Sequence, residues 1–396
     1  KNFGVDESSV RKACTRQGKS CGFFWSFERF DNFFESDFRD EDMQQAYVNR
    51  TRQLQKSRDK LRIERSEIRQ RNRFLNLLEE FSKEIVAQLE DISFKEPYKK
   101  APKPTHEGRV VIVQLSDAHF NELIDLPHNS FDFEEGSRRL QKYAAEVKDK
   151  VGTPSKIIFA MTGDMLNSDR RLDEKMNMAS NRMKASLITT SLIANFINEL
   201  VEIAPVDVTY VSGNETRIQD EYGSTDMLMS DNYDYLIFNM LKPIFSINKY
   251  VEFIEDNPSE VVLEINGKNI LLTHGTMYRQ ATQEKLQKTF GRYSGNGVNL
   301  DYIIFGHIHF ANIGDIFARS GSLCGSNSYS SYALDLITKA SQNIHIIEAN
   351  GDIHNMRIEL HNTEGYEGYP ITDDVNAYHS VGNKKSKEKY KVIKLK

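Results

Sequence analysis

Side chains that commonly bind divalent metal ions follow five apolar runs of this sequence. In chain order they are Asp117, His119, Asp164, Asn214, His274, His307 and His309. One histidine or aspartate after a strand is more often a hydrogen-bonded edge residue than a ligand, but a series in which every run ends this way is not expected by chance. Functional groups of open α/β sheets gather at the carboxyl ends of the strands. The sequence therefore predicts a metal site at that edge.

The ligand types in this series favour two divalent transition-metal ions. Imidazole, carboxylate and amide oxygen without thiolate favour Mn²⁺, Fe²⁺ or Zn²⁺ over Ca²⁺ or Cu⁺, and Mn²⁺ is our first expectation. Asp117 and His119 are two residues apart, so both point the same way from a strand end and can hold one ion together. Asp164 is the natural carboxylate to bridge both ions. A bridging water with a lowered pKa would then attack phosphorus in line.

Short apolar runs that alternate with helical stretches must position these ligands. The runs are VVIVQLSDAH, KIIFAMTGD, VDVTYVSGNE, KNILLTHG and DYIIFGHIH. Helices are expected near 134–150 and near 170–203. Strands that are apolar on both faces and separated by helices predict a buried, largely parallel sheet in an α/β domain. Gly163, Gly213 and Gly306 precede ligands and would permit tight turns and a close approach of the backbone to phosphate.

Composition divides the chain into further regions. We expect a helix-turn-helix-like region at 1–39, a long helical spacer at 40–94, a linker at 95–108, the catalytic domain at 109–370 and a basic tail at 371–396. The net charge of −5 over 396 residues gives no global argument for nucleic-acid binding. No apolar run is long enough to cross a membrane, and three scattered cysteines predict reduced thiols in a cytoplasmic protein.

The N-terminal stretch FGVDESSVRKACTRQG is similar to the latter half of a helix-turn-helix. Five of its polar residues would face DNA near the start of a recognition helix, namely Ser8, Ser9, Arg11, Lys12 and Arg16. A capped amphipathic helix that packs on the nearby Phe and Trp residues explains the pattern equally well.

The spacer carries two further signals. Residues 50–73 hold ten basic and three acidic side chains, which would make salt-sensitive phosphate contacts or form a solvated helix face. Leu54, Leu61, Ile68 and Leu75 recur every seven residues, whereas the partner stripe is polar. The expected partners are therefore DNA and a second copy of the chain that pairs through the spacer.

The successive motifs DAH, GDMLN, GNE, THG and GHIH resemble those of the calcineurin-like metallophosphoesterase superfamily over residues 109–325. The resemblance implies a pair of β-sheets sandwiched between helices. It implies that Asp117, His119 and His309 hold the first metal, that Asn214, His274 and His307 hold the second, and that Asp164 bridges both. The segment SGS at 320–322 resembles a glycine-serine segment that several members place near the site. GDMLN and the GHIH spacing are closer to DNA-processing and small-substrate members than to protein phosphatases.

One residue departs from the superfamily pattern, which places a phosphate-contacting histidine directly after the metal-binding asparagine. This sequence has Glu215 there. A glutamate beside phosphate would repel it and could donate a proton only if burial raised its pKa. Three interpretations stay open. Glu215 could pair with Arg217 and leave Arg217 to hold phosphate, His128 could supply the proton, or the site could bind metal and cleave poorly.

These observations predict an α/β metallophosphoesterase sandwich after a long α-helical extension. Its function would be that of a two-metal phosphodiesterase, first of all a manganese-dependent DNA nuclease. A phosphodiesterase of nucleotides or other small molecules is the alternative within enzymes. A further alternative, which is not primarily an enzyme, is a DNA-binding or assembly protein whose metallophosphoesterase domain is weakly active or vestigial.

Overall fold

The computed structural model describes residues 99–371, with gaps at 219–228, 256, 279–282, 328–329 and 332–336, and six earlier positions (19, 20, 23, 24, 56 and 58). The chain divides into two units, Lys1–Ile85 and Val86–Lys396. In the first unit, two short strands, Lys19–Ser20 and Phe23–Phe24, pair antiparallel. The helix-turn-helix-like region, the spacer and the basic tail lie almost entirely outside the described residues. So do the candidate DNA contacts Ser8, Ser9, Arg11, Lys12 and Arg16.

Strands and helices alternate through the described part of the second unit. The strands are β1 (His106–Leu115), β2 (Ile124–Leu126), β3 (Asn129–Phe131), β4 (Pro154–Met161), β5 (Val206–Tyr210), β6 (Val251–Phe253), β7 (Glu260–Ile265), β8 (Lys268–Thr273), β9 (Tyr302–Phe305), β10 (Asn312–Ile313), β11 (Phe317–Arg319), β12 (Ser341–Ile347) and β13 (Ile353–Glu359). The helices are α1 (Phe133–Val151), α2 (Leu172–Met176), α3 (Arg182–Val201), α4 (Tyr233–Phe245) and α5 (Gln283–Gly295), with a 3₁₀ turn at Thr276–Tyr278. Among the described residues, none of these helices has the length and apolar character needed to cross a membrane.

The first sheet has six strands in the order β13-β12-β1-β4-β5-β6. Strands β1, β4, β5 and β6 are parallel to one another, and β12 and β13 join antiparallel at one side. The crossovers between the parallel strands run through α1, α3 and α4. Because these crossover helices cover the sheet, the parallel strands can be apolar on both faces.

The second sheet has five strands in the order β10-β11-β9-β8-β7. Its central strands β8, β9 and β11 are parallel, and β7 and β10 are antiparallel edges. Apolar side chains of both sheets form one buried cluster, with Ile112 and Ile158 from the first sheet and Ile270, Leu272 and Ile304 from the second. Leu286 of α5 packs on the outer face of the second sheet. Two facing sheets between helices confirm the predicted α/β sandwich.

The apolar runs predicted a single, largely parallel sheet. This prediction is wrong, because the runs are divided between two sheets. The first three ligand-bearing runs belong to the six-stranded sheet, whereas the last two belong to the five-stranded sheet. Hydrophobic periodicity reports that a strand is buried on both faces, but not which sheet it joins.

The helix expected near 170–203 is interrupted. The structure has α2 and α3 instead, separated by residues 177–181. Met178 in this gap forms an isolated β-bridge with Glu122, and Asn181 starts α3 by accepting a hydrogen bond from the Lys184 backbone N–H. The helix expected near 134–150 spans Phe133–Val151, with Asp132 as its N-cap. The linker was expected to end at residue 108, whereas β1 begins at His106.

Candidate metal centre

The loops that follow β1, β4, β5, β8 and β9 carry all of the candidate ligands. Hydrogen bonds join these loops within each sheet and between the two sheets. Asp117 N–H donates to Gly163 O (3.0 Å) within the first sheet, and Gly306 N–H donates to His274 O (2.9 Å) within the second. His307 N–H donates to the carboxylate of Asp117 at 2.9 and 3.1 Å, which connects the two sheets. The carboxyl edges of both sheets therefore meet at one place.

Asp117, His119 and His309 form the first ligand cluster, in which one ligand atom of each residue lies within 4.8 Å of the others. The Nε2 atoms of His119 and His309 face each other at 3.1 Å, and His309 Nε2 is 3.4 Å from Asp117 Oδ1. Two imidazole nitrogens and a carboxylate oxygen that converge in this way fit one divalent cation. The buried Nδ1 of His119 has no hydrogen-bond partner among the described residues.

Asp164, His274 and His307 form the second cluster. His274 Nε2 lies 3.0 Å from Asp164 Oδ2 and 3.0 Å from the amide oxygen of Asn214. The other ring nitrogen of His274, Nδ1, is 2.9 Å from the carbonyl oxygen of Thr162. Since a carbonyl only accepts, Nδ1 carries a proton, and Nε2 is the ring nitrogen that a cation would bind. This cluster fits a second divalent ion, and Asn214 is placed to join it.

Burial and neighbouring charges set the protonation states of the candidate histidine ligands. Burial, helped by the charge of His309, lowers the pKa of His119 to about 4, and burial lowers the pKa of His307 to about 4. Both imidazoles are therefore neutral at pH 7. Burial alone would lower the pKa of His274, but the Asp164 carboxylate outweighs it and raises that pKa to about 10. At pH 7 His274 therefore carries a second proton on Nε2 beside the Asp164 carboxylate, a proton that a bound cation would replace.

The backbone at the centre is strained. Five of the seven candidate ligands have positive φ, namely Asp117 (49°), His119 (46°), Asp164 (57°), His307 (73°) and His309 (59°). Side chains other than glycine rarely adopt this region, and holding one there costs on the order of 1–3 kcal/mol. Such clusters of strained residues are characteristic of functional sites.

Gly213 and Gly306 lie against the carboxylates of neighbouring ligands. A Cβ on Gly213 would overlap the carboxylate and backbone nitrogen of Asp164, and a Cβ on Gly306 would overlap Ser116 Oγ and the carboxylate of Asp117. These glycines therefore make room for the ligand carboxylates, and the expected approach of the backbone to phosphate stays a prediction.

Asp234, at the start of α4, is a supporting residue that the sequence analysis missed. Its buried carboxylate accepts hydrogen bonds from the backbone N–H groups of Asp164 (3.0 Å), Met165 (3.0 Å) and Gly213 (2.8 Å), and from Thr216 Oγ1 (2.6 Å). It thereby fixes the loops after β4 and β5 to each other. An acidic residue in the first turn of a helix is common, so no specific signal in the sequence indicates this contact.

Glu215 pairs with Arg170, a partner that the sequence analysis did not name, whereas its pairing with Arg217 stays one of the open interpretations. Arg170 Nη2 donates to Glu215 Oε2 at 3.0 Å. Burial and the nearby Asp164 carboxylate raise the pKa of Glu215, against the opposing positive charges of Arg170 and, to a smaller extent, Arg217. The backbone oxygen of Arg217 accepts a hydrogen bond from Arg182 Nη2 (2.8 Å).

His128, the second candidate for the proton, lies in the turn between β2 and β3. Its Nε2 is 3.3 Å from Ser331 Oγ, and its carbonyl oxygen accepts a hydrogen bond from His361 Nε2 (3.0 Å). These described contacts are with residues outside both ligand clusters. The segment after SGS does reach the centre, since Leu323 N–H donates to Asp117 O (3.1 Å).

Residues 186–339 match the family model described as the calcineurin-like phosphoesterase superfamily domain. The matched range includes Asn214, His274, His307 and His309. The other three candidate ligands, which precede that range, are Asp117, His119 and Asp164. The matched stretch is therefore similar to a calcineurin-like phosphoesterase domain, a fold that implies metal-dependent phosphoester hydrolysis. The Asp/His clusters and the domain together indicate divalent-metal binding.

Several solved structures match part of the chain at low sequence identity. A conserved uncharacterised protein of Streptococcus pneumoniae, described as a predicted phosphoesterase, is 15% identical, with 66% of this chain and 94% of that chain covered and a TM-score of 0.29. Wild-type Vps29 of Entamoeba histolytica, in complex with zinc, is 13% identical, with coverage of 63% and 99% and a TM-score of 0.29. Vps29 of Chaetomium thermophilum is 10% identical, with coverage of 63% and 97% and a TM-score of 0.29. No curated protein sequence matches the chain.

Proposed function

We propose that this protein is a two-metal phosphodiesterase that cleaves DNA. The observation that carries the proposal is the pair of adjacent ligand clusters, Asp117–His119–His309 and Asp164–His274–His307, joined by the contact of His307 N–H with Asp117. Two divalent cations bound there, with Mn²⁺ as the first candidate and Fe²⁺ or Zn²⁺ as alternatives, would supply Lewis acidity toward a phosphate and toward water.

The chain's own residues support this chemistry. The Asp117 and Asp164 carboxylates are buried, and neighbouring histidines lower the pKa of each against the opposing effect of burial. Both therefore stay anionic over the whole neutral range. Asp164 would be the ligand shared by both cations, and its electrostatic interaction with His274 of the second cluster and His119 of the first supports this role. Asp234 holds the Asp164 loop in position.

DNA as the substrate is supported by sequence features that lie outside the described residues. These are the helix-turn-helix-like segment with Ser8, Ser9, Arg11, Lys12 and Arg16 and the basic strip at 50–73. Pairing of two copies through the spacer belongs to the same proposal. A chain that brings its own DNA-binding segment to a phosphodiesterase centre would raise the local concentration of phosphodiester bonds.

A DNA-binding or assembly protein with a weakly active centre is the second candidate. Glu215 favours this candidate, because it occupies the position where a proton donor was expected and forms an ion pair with Arg170. A nucleotide phosphodiesterase would share the centre but would have no use for the N-terminal segment.

Hydrolysis of bis-p-nitrophenyl phosphate by the full chain tests the enzyme proposal. We expect activity with Mn²⁺ that EDTA abolishes and that Asp164→Asn lowers by about 10²–10³-fold, because the variant loses a carboxylate at the centre of catalysis. Asp149→Asn, on an 81% exposed side chain of α1, is the matched control and should keep wild-type activity. A wild type as inactive as D164N with Mn²⁺, Fe²⁺ and Zn²⁺ would contradict the proposal and favour the assembly protein.

The substrate is tested with a panel of single-stranded, double-stranded and nicked DNA, RNA and cyclic nucleotides in Mn²⁺. We expect cleavage of DNA, and we expect that Arg11→Ala with Lys12→Ala weakens DNA retention while hydrolysis of bis-p-nitrophenyl phosphate is unchanged. Cleavage of cyclic nucleotides alone would favour the small-substrate enzyme.

A further inference from the structure

Glu215 makes contacts with two other side chains at the centre. Its Oε1 accepts a hydrogen bond from the amide Nδ2 of Asn214 at 2.6 Å, and its Oε2 accepts one from Arg170 Nη2 at 3.0 Å. Its backbone N–H donates to Asp164 Oδ1 at 2.7 Å. The side chain is 27% exposed. Glu215 therefore lies within the hydrogen-bond network of the candidate ligands and does not point away from it.

The contact with Asn214 decides which end of that amide faces the cluster. An asparagine amide has one oxygen that can accept a hydrogen bond or bind a cation and one NH₂ group that can only donate. Because Glu215 takes the NH₂ group, the Oδ1 of Asn214 points to His274 Nε2, 3.0 Å away. The reverse orientation would direct the NH₂ group at the cation and face two acceptor oxygens against each other.

The charge of Glu215 is compensated locally. A second carboxylate beside Asp164 would otherwise be repelled. Arg170 donates through Nη2 to Glu215 and through Nη1 to the carbonyl oxygen of Asn214 (3.2 Å), and its side chain is only 16% exposed. The arginine thus holds both residues by a fork of hydrogen bonds.

We propose that Glu215 is a positioning residue that locks the Asn214 amide with its oxygen toward the second cation, and that Arg170 holds Glu215 in that position. The position after the metal-binding asparagine then serves metal binding in this chain. The inference rests on the proposed function in one respect, namely that cations occupy this centre.

Calorimetric titration of the metal-free full chain with Mn²⁺ tests the proposal without reference to activity. We expect Glu215→Ala to weaken one of two Mn²⁺ sites by about 10- to 100-fold, as loss of a group that orients a ligand commonly does. Glu215→Gln should bind more tightly than E215A, because its amide oxygen still accepts from Asn214 Nδ2. Glu284→Ala, which removes a 74% exposed glutamate on α5, is the matched control and should bind like the wild type.

Arg170→Lys gives an independent test of the second half of the proposal. It keeps the positive charge but loses the fork that holds Glu215 and the Asn214 carbonyl oxygen, so Mn²⁺ affinity at one site should fall, by less than in E215A. Wild-type affinity in E215A, equal weakness of E215Q and E215A, or wild-type affinity in R170K would each overturn the inference. Two tight Mn²⁺ sites in a wild type that cleaves no substrate would contradict the proposed function and leave the role of Glu215 standing.

Discussion

Close packing at Gly213 shows how little freedom single residues have at the centre. No side chain can be added there without displacing the carboxylate of Asp164, which itself holds a left-handed backbone conformation (φ 57°). The φ of Gly213 itself is not positive, so the requirement for glycine is one of space. The sequence predicted a close approach of the backbone at this glycine, and the group that packs against it in the structure is the Asp164 carboxylate.

Gly213→Ala should therefore disrupt the second cluster. We expect a loss of about 1–3 kcal/mol in the free energy of unfolding from overpacking, together with weaker Mn²⁺ binding. Urea unfolding and calorimetric titration measure the two effects. Gly291→Ala on α5 is the control, since its Cβ would meet no atom within 4 Å, and it should gain about 0.5–1 kcal/mol because alanine is the better helix former. Equal stability of G213A and the wild type would show that the Asp164 loop can move aside.

Residue identity alone predicted much of the centre. Each candidate ligand is a metal-binding type directly after an apolar run, so local sequence is enough to suggest it. Asp234, Arg170 and Arg182 could not be found this way, because their contacts with the ligand loops depend on how α3, α4 and the segment after β4 fold back over the strands. Neither the spacing nor the type of these residues reports that placement.

At the scale of elements, β12 connects the strand layer to the centre. All of its residues are buried although several are polar. Gln342 accepts a hydrogen bond from Ser116 N–H and donates to Ser116 O, each at 2.8 Å, and so holds the residue before Asp117. His345 lies on the same strand with Nδ1 2.6 Å from Asn355 Oδ1. This mixture of polar residues explains why the apolar-run criterion predicted β1, β4, β5, β8 and β9 but not β12.

His345 should make stability depend on pH. Burial lowers its pKa to about 4, against about 6.5 in the unfolded chain, so unfolding takes up a proton between these values. Stability is fully present above pH 6.5 and falls as the pH drops toward 4, by about 3 kcal/mol from this residue.

Urea unfolding in EDTA at pH 7 and pH 4 measures this effect. His345→Gln should show a smaller loss of unfolding free energy than the wild type over that interval, whatever its stability at pH 7. The comparison with the wild type removes the contributions of other titrating groups, including His119 and His307. Identical losses in both proteins would contradict the assignment.

At the scale of the whole domain, the centre joins the two sheets. Asp117, His119, Asp164 and Asn214 follow strands of the six-stranded sheet, whereas His274, His307 and His309 follow strands of the five-stranded sheet. A cation held by ligands of both sheets resists their separation. The sequence predicted the order of the strands along the chain, but their division between two sheets depends on long-range pairing that no local pattern encodes.

Divalent cations should therefore raise the melting temperature of this domain. Binding to the folded state alone adds about 2.7 kcal/mol per site when the cation is present at one hundred times its Kd. Differential scanning calorimetry of the full chain with Mn²⁺ and with EDTA measures the shift, and Asp164→Asn should reduce it. An unchanged melting temperature under conditions where calorimetric titration shows bound Mn²⁺ would contradict binding to the folded state alone.

The left-handed backbone of five ligands has a consequence for the history of such a domain. Glycine would relieve the strain at His119 or His307, yet glycine has no side chain to offer a cation. Selection for heat resistance alone would thus be expected to replace these residues and erase the centre. Their presence in the chain implies that a requirement other than stability has retained them.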